Sequence, residues 1–165
     1  MQSNLPVDIL TEAAARGIDA RPFVIQVAPR DVSSFDATKN GFLFVYRDTC
    51  PFCRALRATA GDLVRAMAAD DTLRTGKHVA LYFIDSSRHG PFVHEALGVT
   101  SVPSIFVVER GRVANWPDNK NVATTRGSDG AIVKTLPIAS MLKVLRSMAR
   151  QSRLEAASST ARQTR

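Results

Sequence analysis

Two cysteines are all that the sequence holds, too few for the disulfide framework of a small secreted scaffold. No apolar run approaches the ~20 residues of a membrane span. The opening residues do not read as a secretory leader, because Asp8, Glu12 and Asp19 interrupt them and no apolar core follows a basic start. The same acids argue against a mitochondrial transit peptide, so the expected compartment is cytoplasmic. Aromatic residues make up only 7%, with one tryptophan. None is interleaved with the basic residues near the C-terminal end, so a stacking platform for single-stranded nucleic acid is not expected. No internal repeat and no low-complexity block occurs. What remains is ordinary: 165 residues, 45% apolar and 22% charged, enough for one domain with a sizeable core and some extensions.

The net charge of +7 is unevenly placed. Lys143, Arg146, Arg150, Arg153, Arg162 and Arg165 stand against Glu155. From about Gln151 onward the chain is small, polar and basic, with little to bury, and reads as a solvated, flexible tail. The sequence therefore divides into an N-terminal helical extension over 1–20, a domain over 21–150 and a basic tail over 151–165.

The domain is organised around Phe42-Leu43-Phe44-Val45-Tyr46-Arg47-Asp48-Thr49-Cys50-Pro51-Phe52-Cys53. An apolar run ends, polar residues follow, and two cysteines appear with two residues between them. Beyond them, Leu56, Ala60, Leu63, Val64 and Met67 recur at helical spacing, which predicts a helix over Arg54–Ala69. The pair thus falls where a strand hands over to a helix, with Cys50 at or just before the first turn and Pro51 pre-setting the helical φ. The positive end of a helix favours thiolate over thiol, and Arg47 and Arg54 push the same way. A cysteine with pKa roughly 8.5 is about 3% ionised at neutral pH, against about 90% for a pKa near 6. The expected chemistry is a redox dithiol. Two other readings stand beside it. A zinc site would draw on His78, His89 and His94, but the gap from Cys53 to His89 far exceeds the ~12–15 residues of a small module, and Gly90-Pro91 separates the last two histidines. The thiols could also be inert core residues. No metal and no cofactor are expected.

Around this stretch, Pro6 to Arg16 predicts an amphipathic helix stopped by Gly17. Phe23–Val27 predicts a strand, Asp31–Asn40 a short helix stopped at Asn40-Gly41, and Phe42–Tyr46 a strand covered on both faces. Val79–Asp85 is another apolar strand, and Pro91–Leu97 a short helix ended by Gly98. Ser101–Val108 reads as a strand with Pro103 near its start. Arg110-Gly111 turns the chain into an antiparallel strand over Arg112–Trp116, which Val122–Thr125 resumes. Gly127 and Gly130 bracket a turn. Pro137 opens a last helix whose Ile138, Met141, Leu142, Leu145 and Met148 form one apolar stripe, a core face.

This order, with Cys50-Pro51-Phe52-Cys53 and with Leu97-Gly98-Val99-Thr100-Ser101-Val102-Pro103 placing a proline fifty positions after Cys53, resembles the thioredoxin superfamily over roughly residues 23–150. The resemblance implies an α/β thioredoxin-like fold, a central mixed sheet with helices on both faces. It implies a cis bond before Pro103, opposite the dithiol, whose neighbour pairs with the backbone of a bound substrate. Cys50 and Cys53 would be catalytic, as attacking and resolving thiols. Pro51, Phe52, Val102 and Pro103 would line the substrate site. Expected partners are protein dithiols or disulfides and a redox partner protein, met by a monomer, with neither membrane nor nucleic acid. The chain departs from the family where thioredoxins carry a buried acid six residues before the first cysteine (here Phe44), a lysine (about Leu81) and a tryptophan (Thr49). The Pro-Phe dipeptide is similar to glutaredoxins, yet the Gly-Gly-x-x-Asp that holds glutathione is missing after Pro103. The implied activity is protein thiol–disulfide exchange. Without the acid, a binding or scaffold protein with slow thiols is the alternative.

Overall fold

The computed structural model describes residues 4–28, 35–36 and 38–164. Leu5–Ala15 forms helix α1, with Pro6 in its first turn and a chain reversal at Gly17 (φ 77°), as its sequence predicts. Strand β1 is Val24–Gln26, and the Val27 amide still reaches the Phe83 carbonyl at 2.8 Å. The helix expected from Asp31 lies largely outside the described residues. Its proposed stop, Asn40-Gly41, is instead the start of strand β2, Asn40–Tyr46. A buried asparagine is tolerated there because its side-chain oxygen accepts the Arg110 amide at 2.8 Å and its nitrogen donates to Ser152 Oγ at 3.3 Å.

Strand β3, Val79–Asp85, lies parallel to β2 and to β1. Strand β4, Ser104–Glu109, runs antiparallel to β2, and β5, Arg112–Asn115, antiparallel to β4. The resulting mixed sheet has the order β1-β3-β2-β4-β5. Every residue of β2 and β3 is buried, which explains their unbroken apolar runs. They approach so closely that a Cβ on Gly41 would stand 1.8 Å from the Ala80 carbonyl oxygen.

The dithiol helix is in two pieces, α2 (Pro51–Arg54) and α3 (Leu56–Ala69), separated at Ala55. The final helix α4 spans Ile138–Gln163. Phe42, Phe44, Tyr46, Leu81 and Phe83 pack on one side of the sheet with residues of α1, α3 and α4. The alternate residues Leu43, Val45, Ala80, Tyr82 and Ile84 meet Phe35, Val93 and Val99 on the other. Among the described residues that second face is covered more thinly, since the helix expected at Pro91–Leu97 is a single wide turn, Phe92–Ala96, closed by the Leu97 amide on the Phe92 carbonyl.

Two further features differ from the sequence reading. Ala123–Arg126 does not resume β5. It forms strand β6 and pairs with β7, Ile132–Thr135, in a separate hairpin turned by Gly127 and Gly130, and β7 packs against α2 and α3. The stretch after Gln151 is also helical, continuing α4 as an exposed arm. Its alanines, arginines and glutamines are good helix formers, and its root is tied down by Arg153 donating to the Thr72 carbonyl at 2.8 Å and by the Arg110–Glu155 ion pair. Among the described residues, no helix is long and apolar enough to cross a membrane.

Candidate active site

Strand β2 delivers the chain to the sheet's C-terminal edge, where Arg47–Cys50 forms a turn closed by the Cys50 amide on the Arg47 carbonyl at 3.0 Å. Cys50 is extended (φ −85°, ψ 120°) and occupies the N-cap position of α2. Pro51 follows as the first helical residue, where a missing N–H costs nothing. The Cys50 carbonyl accepts the amides of Cys53 and Arg54, both at 3.1 Å, which fixes the first turn. One turn separates the thiols, so they approach within 3.5 Å without being joined. Their surroundings differ. Cys50 is half-buried at the mouth of the site, whereas Cys53 is 1% exposed, and the Arg47 N–H donates to its sulfur at 3.4 Å.

The Val102–Pro103 peptide bond is cis, and β4 starts one residue later. The Val102 carbonyl lies 3.9 Å from Cys50 Sγ, a weak S–H contact. Segments about fifty residues apart are thus brought to one place. Val102 and Pro103 are half-buried, while Pro51 is exposed and Phe52 is 40% exposed beside the dithiol.

The acid that the family resemblance would put at position 44 has no room here. Phe44 is fully buried and stacked on Phe83, centroids 5.0 Å apart at 13°. Carboxylates approach from elsewhere. Asp48, in the turn before Cys50, accepts the Leu5 amide of α1 at 3.2 Å. Burial pushes its pKa up, the charges of Asp85 and Asp8 add to that, and the Leu5 amide and Arg88 oppose it. Asp85, at the buried end of β3, accepts the Ser87 amide at 2.9 Å and hydroxyl at 2.6 Å and meets Arg88 at 3.6 Å. Asp8 and Glu12 of α1 pair with Arg57 of α3 at 3.8 and 3.1 Å, clamping the N-terminal helix beside the dithiol helix. The Tyr46 hydroxyl, held by Gln26 at 3.3 Å and Asn4 at 3.4 Å, is kept protonated by burial. None of Asp8, Asp48 and Asp85 stood out in the sequence as a site residue. The available signal was the position of Asp48, two residues before Cys50.

No histidine lines the cavity beside Cys53. His94 Nδ1 lies 2.8 Å from the Val99 carbonyl. Among the described residues, no three of His, Cys, Asp and Glu converge as metal ligands would.

No protein-family model matches the chain, and no curated protein matches its sequence. Solved structures do. A thioredoxin mutant from Halobacterium salinarum NRC-1 is 14% identical with a TM-score of 0.50, over 78% of this chain and 92% of that one. Thioredoxin f from spinach chloroplast, short form, is 16% identical with a TM-score of 0.46, over 78% and 95%. Reduced desulfothioredoxin from Desulfovibrio vulgaris Hildenborough is 18% identical with a TM-score of 0.43, over 74% and 95%. The archaeal match, together with the strand order and the mixed sheet, establishes that this chain has a thioredoxin-like fold.

Proposed function

We propose that the chain is a thiol–disulfide oxidoreductase that exchanges disulfides with protein substrates through Cys50-Pro51-Phe52-Cys53. The observation that supports it best is the asymmetry of the pair. Cys50 is accessible and lies against the Val102 carbonyl, while Cys53 waits behind it, buried and within 3.5 Å. In the first step the Cys50 thiolate attacks one sulfur of a client disulfide. A Cys50–client S–S bond forms, the client S–S bond breaks, and the client's other sulfur leaves as a thiolate. In the second step Cys53, losing its proton, attacks Cys50 Sγ. The Cys50–Cys53 bond forms, the second client thiolate leaves, and two electrons have passed to the client. A redox partner protein reverses these steps to reset the dithiol, so the same site serves either direction. An extended client backbone would lie along Val102 and Pro103, with Pro51 and Phe52 forming the exposed apolar lip. The site works as a monomer and requires no cofactor.

The buried Phe44 favours a second reading, a binding or scaffold protein whose thiols turn over slowly. Reduction of insulin, with dithiothreitol as electron source, separates the two. Turnover that disappears in Cys50→Ser is expected. A folded parent protein giving no more reduction than Cys50→Ser would leave the scaffold reading standing.

A further inference from the structure

Behind Cys53 is a cavity of about 10 Å³ lined by Leu5 and Asp8 of α1, by Tyr46, Arg47 and Asp48, and by Cys53, Arg54 and Arg57. That is close to the smallest volume that holds one water, and its walls carry both donors and acceptors. The inner thiol therefore shares a water-sized chamber with a half-buried carboxylate, and α1 contributes Leu5 and Asp8 to its wall.

We propose that α1 closes a proton-accepting chamber behind Cys53, in which Asp48 takes the proton of the Cys53 thiol through a single water during the resolving step. The proposal rests on the exchange chemistry assigned above. The second step needs a base, since Cys53 must become a thiolate to attack Cys50, and at 1% exposure it has little access to bulk solvent. The proton moves from Cys53 Sγ to the water while a water proton moves to a carboxylate oxygen of Asp48. The sulfur electron pair forms the Cys50–Cys53 bond, and the client thiolate departs with the electrons of the broken bond. Two carboxylates line the chamber, and their partners distinguish them. Asp8 already has a cationic partner, Arg57 at 3.8 Å. Asp48 is held by the neutral Leu5 amide and faces the charges of Asp8 and Asp85, with Arg88 opposing them; both burial and those acids raise its proton affinity. Arg47, Arg54 and Arg57 complete the charged surroundings, and the Tyr46 hydroxyl stays protonated.

Stopped-flow mixing of the reduced protein with Ellman's reagent tests this without any protein client. Attack by Cys50 releases one thionitrobenzoate, and attack by Cys53 on the resulting adduct releases a second in a phase independent of reagent concentration. Cys53→Ser, which should give the first phase only, identifies that second phase. In Asp48→Asn the second phase should slow about a hundredfold or more near neutral pH, the usual range for a lost general base. It should converge on the parent rate at alkaline pH, where Cys53 ionises unaided, and Asp48→Glu should restore most of the neutral rate. Equal second-phase rates in the parent and Asp48→Asn at every pH overturn the chamber alone. A uniform slowing that persists at alkaline pH also overturns it, because that is the signature of a displaced backbone. Loss of the second phase in the parent protein itself overturns the dithiol reading, and the chamber with it.

Discussion

Replacing Phe44 with aspartate would restore the acid of the family resemblance at its own position, and the structure says that the protein cannot bear it. Phe44 is 0% exposed at the centre of β2 and stacks on Phe83. Losing the ring should cost about 3–5 kcal/mol by the usual Phe truncation series, and the aromatic pair about 1 kcal/mol more. Burying a carboxyl group without compensating hydrogen bonds adds a few kcal/mol. The sum rivals the roughly 5–15 kcal/mol that holds a domain together. The proton gives a sharper signature. A carboxyl group in this layer has a folded pKa raised above its unfolded value of about 3.9. Between the two values the native state binds the proton and the unfolded state does not, so stability falls as pH rises, by about 1.4 kcal/mol per unit. Phe44→Asn, similar in shape and without a titrating group, isolates that term. Urea unfolding followed by circular dichroism from pH 4 to 7 should show the two variants close together at pH 4 and the aspartate increasingly worse above it. A constant difference across that range would refute the reasoning, since it would mean that water reaches position 44 and an acid there can work.

Two further substitutions probe the frame around the site. Gly41→Ala puts a methyl 1.8 Å from the Ala80 carbonyl oxygen, forcing β2 and β3 apart. About 3 kcal/mol should be lost, at the upper end for an overpacked core, and thermal unfolding should begin roughly 6–12 °C lower; a variant within 0.5 kcal/mol of the parent would contradict the close approach. Asp70→Asn should cost about 1 kcal/mol at neutral pH. Burial pushes the Asp70 carboxyl up, yet the Arg146 hydrogen bond at 2.6 Å and the amides of Thr72 and Leu73 hold it below its ordinary value. A depressed pKa means that the contribution is present above about pH 3.9 and lost as pH falls through the folded value, so acid titration of stability should bring parent and variant together, and parallel curves would refute the assignment.

The parts legible in the sequence are those whose cause is local. Val79–Asp85 is a strand from end to end because both faces are buried and every residue up to Ile84 is apolar or aromatic. The dithiol's place at a strand-to-helix junction follows from the apolar run, Pro51 and the periodicity beyond it. The missed features have either a weak local signal or partners distant in sequence. Nothing about Ala55 marks a helix break. Ile132–Thr135 is too short to show a period of two, and its partner lies across a glycine turn. The chain beyond Gln151 is exposed, as its polarity implies, and helical, as its propensity allows; polarity alone does not tell a solvated helix from a flexible tail. Asp8 and Glu12 served only as marks against a leader peptide. Their pairing with Arg57, and the hydrogen bond between Leu5 and Asp48, span more than forty residues.

The likeness to the archaeal thioredoxin, at 14% identity, is a likeness of fold. Two further elements gather around the dithiol helix. Helix α1 is clamped to it through Arg57 and supplies the amide that holds Asp48, and the β6–β7 hairpin packs on it through β7. Where Phe44 stacks on Phe83, the layer of β2 and β3 has no place for a charge. An acid serving Cys53 must therefore come from outside that layer, and the turn between β2 and α2 is the shortest route for one. A carboxylate on a turn needs an anchor that a strand would have provided, and α1 supplies it. If Asp48 is that base, the apolar run Phe42–Tyr46 and helix α1 are coupled: the run leaves no room for an acid beside Cys53, and the Leu5 amide of α1 holds the turn that carries one.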